Sequence, residues 1–273
     1  MSLPTLLMCS PKYYQIEYEI NPWMSRSRSV LTDKASAQWE ELFEIITKKS
    51  GNPPREGTGA HVRLIEPHKG LPDMVFTANA GLVHGKTFIS SNFRYKERKG
   101  EKKYFMKWFK KNGYHVIELP EEFSFEGAGD GLFFGDRLYA GYHFRSDINS
   151  HMKISEILKI EVISLELIDK WFYHLDTCFC PIGNEAAIYY PDAFDSYARL
   201  VLRKTIPNLI PVAKNEAMRF GCNAVVIGKS VILNTGCPKL KKEISSLGWK
   251  VYEAELSEFM KAGGSAKCLT LII

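Results

Sequence analysis

The sequence predicts an α/β protein in which five repeated units form a ring or propeller. Three observations support this class: recurring hairpins, a helix and a short strand after each hairpin, and an apolar strand near each terminus. Each hairpin has two apolar runs joined by glycine beside a polar residue, which is typical of tight β-turns. The predicted hairpins cover residues 79–90, 130–141, 176–190 and 223–234.

The units recur at a nearly constant spacing. Their opening residues are at positions 79, 130, 176, 223 and 268, so successive units begin 45 to 51 residues apart. Such a period is typical of propellers and other repeat folds. The fifth unit, CLTLII at residues 268–273, is a first strand that contains Cys268 and lacks a return strand. We expect Pro4–Met8 to supply that strand, because pairing the two termini would leave no open sheet edge.

Helices separate the hairpins. Apolar residues at helical spacing predict a helix over Asp33–Lys49, with Gly51 as its stop signal. Further helices are predicted at Tyr104–Lys111, Ile148–Leu158, Phe194–Lys204 and Lys239–Leu247. The third strand of each unit then follows its helix, at Val62–Ile65, His115–Leu119, Glu161–Leu165, Leu209–Val212 and Lys250–Ala254. We therefore predict that residues 1–273 form a single catalytic domain.

Charge and composition exclude several partners. The net charge is +5, and basic residues concentrate at 96–111 and 239–242. These runs are typical of solvated helix faces, and no nucleic-acid-binding motif accompanies them, so we expect no nucleic-acid partner. The chain shows no membrane span and no signal peptide. We therefore expect a cytoplasmic protein with six reduced cysteines, and the sequence leaves homo-oligomer formation open.

A closed ring would bring the opening residues of the units together, including Asp130, Asp176 and Cys268. Two more reactive groups lie just before them, Glu126 in FEGAGD and His174 in HLD. Since His174 and Asp176 are two residues apart, we predict that they share one face of a strand. A thiol, an imidazole and carboxylates are suited to attack by sulfur on an electron-poor carbon, with histidine moving protons. Paired carboxylates also favour a cation, and a planar guanidinium fits them best.

Two alternatives apply to these residues. Cys268 could be a buried structural thiol, but the Gly263-Gly264 pair before it allows a sharp bend and close approach of substrate, which favours a nucleophile. A zinc site could use His174, Asp176, Cys178 and Cys180, but their spacing lacks the usual CxxC pattern. We expect no metal and no organic cofactor.

Four sequence blocks resemble the pentein, or guanidine-modifying, superfamily of arginine deiminases, dimethylargininases and amidinotransferases: PDMVFTANAGLV, FEGAGD, HLDT and GGSAKCLT. Longer blocks resemble most the arginine dihydrolases, known as free enzymes or as the N-terminal half of two-domain cyanobacterial proteins: SPKYYQIEYEINPWM, SNFRYKERKGE, AGYHFRS and HLDTCFCP. The resemblance implies a five-bladed α/β propeller of pseudo-fivefold ββαβ repeats. It also implies no coupled second activity, because this chain lacks the C-terminal extension of the two-domain relatives.

The resemblance implies a role for each motif residue. Cys268 corresponds to the nucleophile and His174 to the general acid and base. Glu126 would orient His174 and, together with Asp176, hold the guanidinium. Arg98 and Arg145 would bind the α-carboxylate of the substrate. The remaining substrate-binding candidates are Asn21, Phe76 and Asp130.

One position distinguishes the subfamilies. Deiminases carry FTRD, in which the aspartate binds guanidinium, whereas this chain reads FTAN with Asn79, as the dihydrolases do. Two carboxylates favour a cationic guanidinium over a neutral ureido group, and an amide reduces that preference because it donates as well as accepts. We therefore expect hydrolysis of L-arginine to ornithine, ammonia and carbon dioxide through a thiouronium adduct on Cys268.

Four other activities remain open at this point. An arginine deiminase would stop at citrulline, and a dimethylarginine dimethylaminohydrolase would release dimethylamine. An amidinotransferase would use an amine in place of water. A non-catalytic pentein would only bind its ligand, although intact Cys268, His174 and Glu126 argue against this.

Overall fold

A computed structural model of the chain describes residues 3–47 and 57–273. In chain order, the strands of this part are β1 (Thr5–Cys9), β2 (His61–Ile65), β3 (Gly81–His84), β4 (Thr87–Ser90), β5 (His115–Glu118), β6 (Gly131–Phe134), β7 (Arg137–Tyr142), β8 (Val162–Glu166), β9 (Phe179–Ile182), β10 (Ala186–Tyr189), β11 (Asn208–Pro211), β12 (Val225–Ile227), β13 (Ser230–Asn234), β14 (Lys250–Ala254) and β15 (Leu271–Ile272). The α-helices are α1 (Thr32–Thr47), α2 (Lys96–Lys99), α3 (Lys102–Lys111), α4 (Ile148–Leu158), α5 (Ser196–Thr205), α6 (Lys214–Ala217), α7 (Pro238–Ser246) and α8 (Ser257–Met260).

The described strands form five three-stranded sheets that share one pattern. In each sheet the central strand pairs antiparallel with one neighbour and parallel with the other. The sheets are β3-β4-β5, β6-β7-β8, β9-β10-β11, β12-β13-β14 and β15-β1-β2. A helix connects the two parallel strands in each case, because parallel neighbours need a crossover. The repeated ββαβ unit predicted from the hairpin spacing is confirmed.

The two ends of the chain meet in one sheet. β1 pairs antiparallel with β15, where Leu6 lies opposite Ile272 and Leu7 opposite Leu271. The prediction that the N-terminal segment supplies the missing return strand is therefore confirmed. The prediction that Cys268 lies in this strand is wrong, because residues 265–270 form turns closed by hydrogen bonds such as that from the Thr270 N–H to the Lys267 carbonyl (3.1 Å).

The predicted helices are present, with small shifts at their ends. α4 has the predicted bounds, and the Asp147 carboxylate caps it by accepting from the Asn149 N–H at 2.8 Å. α5 begins at Ser196 rather than at Phe194, because the Asp195 carboxylate accepts from the main-chain N–H of Ala198 at 2.8 Å. The predicted end of the first helix at Lys49 and its stop at Gly51 lie outside the described residues.

The chain divides into two compact units. The first comprises the described residues up to Thr77 together with Ala213–Ile273, and it holds sheets β15-β1-β2 and β12-β13-β14. The second comprises Ala78–Val212 and holds the other three sheets. Its apolar core includes Leu82, Ile89, Leu119, Phe125, Leu138 and Ile154. The prediction of one catalytic domain over residues 1–273 stays a prediction.

Two further observations concern membrane-spanning helices and the cysteines. In residues 3–47 and 57–273, no helix is long and apolar enough to cross a membrane. All six cysteines lie in the described residues and are buried thiols outside any disulfide. A buried thiol packs as a small hydrophobic group unless its surroundings activate it, so the site geometry has to identify a reactive one.

We predict that Gly127→Ala destabilises the protein more than Gly135→Ala. Both glycines have similar left-handed backbone angles, φ 61° and 62°, so alanine costs about 1–2 kcal/mol at either position. A Cβ on Gly127 would also lie 2.7 Å from main-chain atoms of Gly81, whereas one on Gly135 meets nothing within 4 Å. Such overpacking adds about 1–3 kcal/mol. Equilibrium urea unfolding of both variants measures the difference, and equal losses would show that the contact with Gly81 relaxes freely.

Candidate active site

Glu126 and His174 form the centre of a buried polar cluster in the second unit. His174 Nε2 lies 2.8 Å from Glu126 Oε2, and the two residues are 2% and 0% exposed. The same carboxylate oxygen accepts from Arg145 Nη1 at 2.9 Å, and Oε1 accepts from the Arg94 N–H at 3.3 Å. Both oxygens of Glu126 are therefore fixed, and the imidazole that lies on the carboxylate is oriented by it.

The charge of Glu126 follows from these neighbours. Burial alone would raise its pKa, but the Arg145 guanidinium and the hydrogen bond from His174 outweigh burial and hold the pKa of Glu126 well below its usual range. The carboxylate is therefore ionised at neutral pH. An ionised carboxylate favours the tautomer of His174 that carries a proton on Nε2, which leaves Nδ1 as the nitrogen that can accept and give a proton.

Asp130 is the second carboxylate near the imidazole of His174. Its Oδ1 accepts from the Leu175 N–H at 3.1 Å, and its Oδ2 accepts from Ser146 Oγ at 2.6 Å and lies 3.9 Å from His174 Nε2. Burial raises the pKa of Asp130 to about 6, against the opposing effects of His174 and the Ser146 hydroxyl. Asp130 thus holds the main chain that carries His174, as expected for an orienting carboxylate.

The sequence did not single out Ser146. Its hydroxyl donates to Asp130 and accepts from the Glu126 N–H at 3.0 Å, so it connects the two acidic residues. The available signal was its place in HFRS, next to Arg145. The sequence also missed the aromatic rings of Tyr95 and Tyr173, whose centroids lie 4.9 and 4.6 Å from the Arg145 guanidinium carbon. These contacts fix the cation that neutralises Glu126.

Arg98 and Asn79 form a second buried group in this unit. Arg98 Nε and Nη2 donate to the two oxygens of Glu101, each at 2.8 Å, and Nη1 donates to Asn79 Oδ1 at 2.8 Å. Arg98 is 3% exposed and Glu101 is fully buried. The structure therefore places Arg98 on Asn79 and Glu101, and its assignment to the substrate carboxylate stays a prediction. Glu101, which the sequence analysis missed, is three residues after Arg98.

Asp176 lies in a turn of a 3-10 helix, Leu175–Thr177, and is fully buried. The prediction that His174 and Asp176 share one face of a strand is wrong, because β9 begins only at Phe179. The Thr177 hydroxyl donates to the His174 carbonyl at 2.6 Å and closes the turn. Asn79 lies in a similar turn, Thr77–Ala80, and Asp130 directly follows another, Gly127–Gly129.

The zinc alternative grouped His174 and Asp176 with Cys178 and Cys180. Because His174 and Asp176 precede β9, they do not alternate with Cys178 and Cys180 along one face. The Cys178 thiol lies on the Leu175 carbonyl at 3.5 Å instead. Across the part of the chain that the structure describes, no group of three or more His, Cys, Asp or Glu side chains is placed to hold a metal ion.

In the first unit, Cys268 pairs with Asn223. The Cys268 N–H donates to Asn223 Oδ1 at 3.2 Å, and Asn223 Nδ2 donates to Cys268 Sγ at 3.2 Å. The side chain of Cys268 is 3% exposed. Two opening residues of the repeat thus meet in this unit. A donor on sulfur stabilises a thiolate over a thiol, which is what a nucleophilic cysteine needs.

Close packing sets the backbone before Cys268. Gly263 has φ 85°, and a Cβ on Gly264 would lie 2.5 Å from the Phe76 ring. Phe76 is 5% exposed and meets Tyr14 edge to face, with ring centroids 5.7 Å apart. The structure therefore shows Phe76 as a packing residue of this loop, and its assignment to substrate binding stays a prediction.

Asn21 fixes the same loop. Its Nδ2 donates to the Ala262 carbonyl at 3.0 Å, and its Oδ1 accepts from the main-chain N–H groups of Trp23 and Met24 at 2.9 and 3.2 Å. Each polar atom of the amide thus lies on main-chain groups. The substrate-binding role expected for Asn21 stays a prediction, and its visible effect is to hold Ala262 ahead of Gly263.

Comparison with known proteins identifies the family. The sequence profile of the family described as "N,N dimethylarginine dimethylhydrolase, eukaryotic" matches residues 16–273. The chain belongs to this family. It is 48% identical over 270 residues to the bifunctional arginine dihydrolase/ornithine cyclodeaminase AgrE of Nostoc sp., covering 97% of this chain and 37% of AgrE. The chain thus spans little more than a third of such bifunctional relatives.

Two further relatives match nearly the whole of this chain. The N(G),N(G)-dimethylarginine dimethylaminohydrolase of Mycobacterium tuberculosis is 38% identical over 266 residues, which are 97% of this chain and 84% of that protein. The N-terminal domain of ArgZ, a cyanobacterial arginine dihydrolase crystallised as a cysteine-to-serine mutant with substrate, superposes with a TM-score of 0.92. That match has 46% sequence identity and covers 99% of this chain and 98% of the domain. The pentein fold, predicted as a five-bladed α/β propeller, is confirmed.

We predict that Asp130→Asn alters the pH dependence of stability. A carboxyl group whose pKa is raised to about 6 from 3.8 stabilises the folded state only while protonated, and this contribution is lost as pH rises from about 4 to about 6. An amide escapes the loss, so the free energy of unfolding of the variant, relative to wild type, should increase by about 3 kcal/mol over this interval.

Urea unfolding between pH 4 and pH 7 measures this difference. The matched control is Asp136→Asn, at an exposed aspartate of the β6–β7 turn, which should show no comparable change. A constant offset between Asp130→Asn and wild type at every pH would contradict the raised pKa of Asp130.

Proposed function

We propose that this chain hydrolyses the guanidinium group of L-arginine in two rounds and so acts as an arginine dihydrolase. The observation that supports this best is the buried Glu126–His174 pair at 2.8 Å. By the sequence resemblance, Asn79 of the same unit corresponds to a guanidinium-binding aspartate of deiminases. An oriented proton-transfer group serves both rounds, and an amide permits the second round to use a neutral substrate.

The relatives support the same choice. AgrE combines two activities in its name, and this chain covers 37% of it. The N-terminal domain of ArgZ is named as an arginine dihydrolase by itself, and this chain covers 98% of that domain. A second crystal structure of the domain, of an asparagine-to-serine variant, holds a covalently bound reaction intermediate. We therefore assign dihydrolase activity to this chain, with covalent catalysis.

In the first round, the thiolate of Cys268 forms a bond to the guanidinium carbon. His174 gives a proton to the departing nitrogen, and ammonia leaves a thiouronium group on sulfur. His174 then takes a proton from water, which adds to the same carbon, and the carbon–sulfur bond breaks. Citrulline is formed and the thiolate returns. Glu126 keeps the imidazole oriented and stabilises its protonated form.

In the second round, Cys268 attacks the ureido carbon of citrulline. A second ammonia leaves, and the remaining thiocarbamate is hydrolysed to a carbamic acid, which loses carbon dioxide and leaves ornithine. Each arginine thus consumes two waters and releases two ammonia molecules. These steps use side chains and water only. Asp176 and Glu126 hold the guanidinium in this proposal, and Arg145 binds the α-carboxylate. A cytoplasmic location stays a prediction.

A methylated arginine is the second candidate substrate. The family profile and the relative from M. tuberculosis carry the name of the dimethylarginine enzyme. The acidic third residue of HLD, Asp176, argues for an unmethylated guanidinium, because a carboxylate pairs best with N–H groups that methylation removes. Release of dimethylamine from dimethylarginine, faster than release of ammonia from arginine, would decide for this alternative.

We predict that incubation with L-arginine yields ornithine with two ammonia molecules per arginine. Mass spectrometry of the products and an ammonia assay check this, and accumulation of citrulline without ornithine would contradict the dihydrolase proposal.

Cys268→Ser should fold like the wild type and lose at least about a thousandfold in kcat, because a hydroxyl is far less nucleophilic than a thiolate. Undiminished turnover by Cys268→Ser would exclude covalent catalysis through this sulfur.

We predict that Asn79→Asp shifts the products toward citrulline. A carboxylate at position 79 favours the cationic guanidinium over the neutral ureido group, so the second round slows relative to the first. The ratio of citrulline to ornithine, measured at partial conversion, reports this. Asn149→Asp, at an exposed residue of α4, is the matched control and should keep the wild-type ratio.

A further inference from the structure

The amide of Asn79 accepts a hydrogen bond from the buried ion pair of Arg98 and Glu101. Arg98 uses Nε and Nη2 on the two oxygens of Glu101, and this bidentate geometry fixes the plane of the guanidinium. Nη1 then points at Asn79 Oδ1, at 2.8 Å. The ring of Phe93 lies 4.7 Å from the guanidinium carbon and restricts it further.

This contact decides which way the amide of Asn79 faces. A guanidinium offers N–H donors and no acceptor, so the atom that meets it has to be the amide oxygen. The amide nitrogen therefore lies on the other side, where it is 3.4 Å from the Glu126 carbonyl. Gly129 lies between this nitrogen and His174. A Cβ added to Gly129 would meet the Asn79 nitrogen and would lie 3.5 Å from the His174 ring. The donor end of Asn79 thus faces the Glu126–His174 group.

A fixed donor treats the two substrates of the proposed reaction differently. The guanidinium of arginine presents only N–H groups, so it gains no hydrogen bond from the Asn79 nitrogen. The ureido group of citrulline carries a carbonyl oxygen, which accepts one. An amide free to rotate would offer its oxygen to the guanidinium and its nitrogen to the ureido group in turn, and would favour neither.

We propose that Arg98 and Glu101 are positioning residues that hold the Asn79 amide as a hydrogen-bond donor to the ureido oxygen in the second round. This inference rests on the proposed dihydrolase function and names the residues that decide whether hydrolysis continues past citrulline. It is compatible with a further role for Arg98 on the α-carboxylate of the substrate, because these contacts use three of the five N–H groups of the guanidinium.

The experiment compares variants that remove the ion pair with variants that keep the donor. Arg98→Met/Glu101→Met removes both buried charges together, so that neither is left without its partner. Arg98→Lys keeps a donor for the Asn79 oxygen. Arg137→Met/Glu161→Met is the matched control, because this exposed Arg–Glu pair in the same unit has the same 2.8 Å separation. Circular dichroism and thermal unfolding show that each variant is folded.

Two readouts separate positioning from carboxylate binding: the ratio of citrulline to ornithine formed from arginine, and KM for arginine. Loss of one oriented hydrogen bond in the second round should raise the ratio roughly tenfold in Arg98→Met/Glu101→Met. In Glu101→Gln, which keeps the Arg98 cation, KM should change much less than the ratio. Glu101→Gln should shift the ratio in the same direction, Arg98→Lys should lie closer to wild type, and the control pair should match it.

The outcomes distinguish this inference from the proposed function. A rise in KM for arginine as large as the change in product ratio in Glu101→Gln, or an unchanged ratio in both Glu101→Gln and the double variant, would overturn the positioning role while leaving the dihydrolase proposal intact. Failure of the wild type to convert arginine to ornithine would overturn the dihydrolase proposal itself, and the inference with it. If the double variant does not fold, Glu101→Gln and Arg98→Lys give the same decision.

Discussion

The second unit depends chemically on one buried carboxylate. Glu126 is fully buried, yet Arg145 and His174 compensate its charge so well that it stays ionised. Without them the desolvation cost would protonate it, and a protonated acid would neither orient the imidazole nor stabilise its charged form. The remaining contacts serve this arrangement: Ser146 and the Arg94 N–H position Glu126, and tyrosine rings flank Arg145.

The repeat explains why reactive groups occur where they do. In each of the five repeats the chain makes a tight turn just before the first strand of a sheet. Polar residues of these turns are buried: Asn79, Asp130, Asp176, Asn223 and Cys268. A turn leaves main-chain N–H groups without strand partners, and polar side chains accept from them, as Asp130 and Asn223 do. The same side chains can then take part in chemistry, because the turn holds them rigidly.

Product choice in the proposed reaction is a matter of donors and acceptors rather than of net charge alone. Asn79 differs from a carboxylate by one donor group, and its oxygen accepts from Arg98, which is itself held by Glu101. A substitution that looks conservative at position 79 therefore depends on residues about twenty positions later in the chain.

The sequence by itself determined the repeat, the helices between the hairpins and the pairing of the terminal strand β1 with β15, because glycine turns and apolar periodicity are local signals. It also singled out Glu126, His174, Asp130 and Asn223, since they recur at matching positions of the repeat or beside them. Only the tertiary structure showed that Cys268 and Asp176 lie in turns rather than strands, and that Ser146, Glu101 and Tyr173 complete the buried groups. Those contacts join residues distant along the chain or depend on the direction of a side chain, and neither property leaves a periodic trace in the sequence.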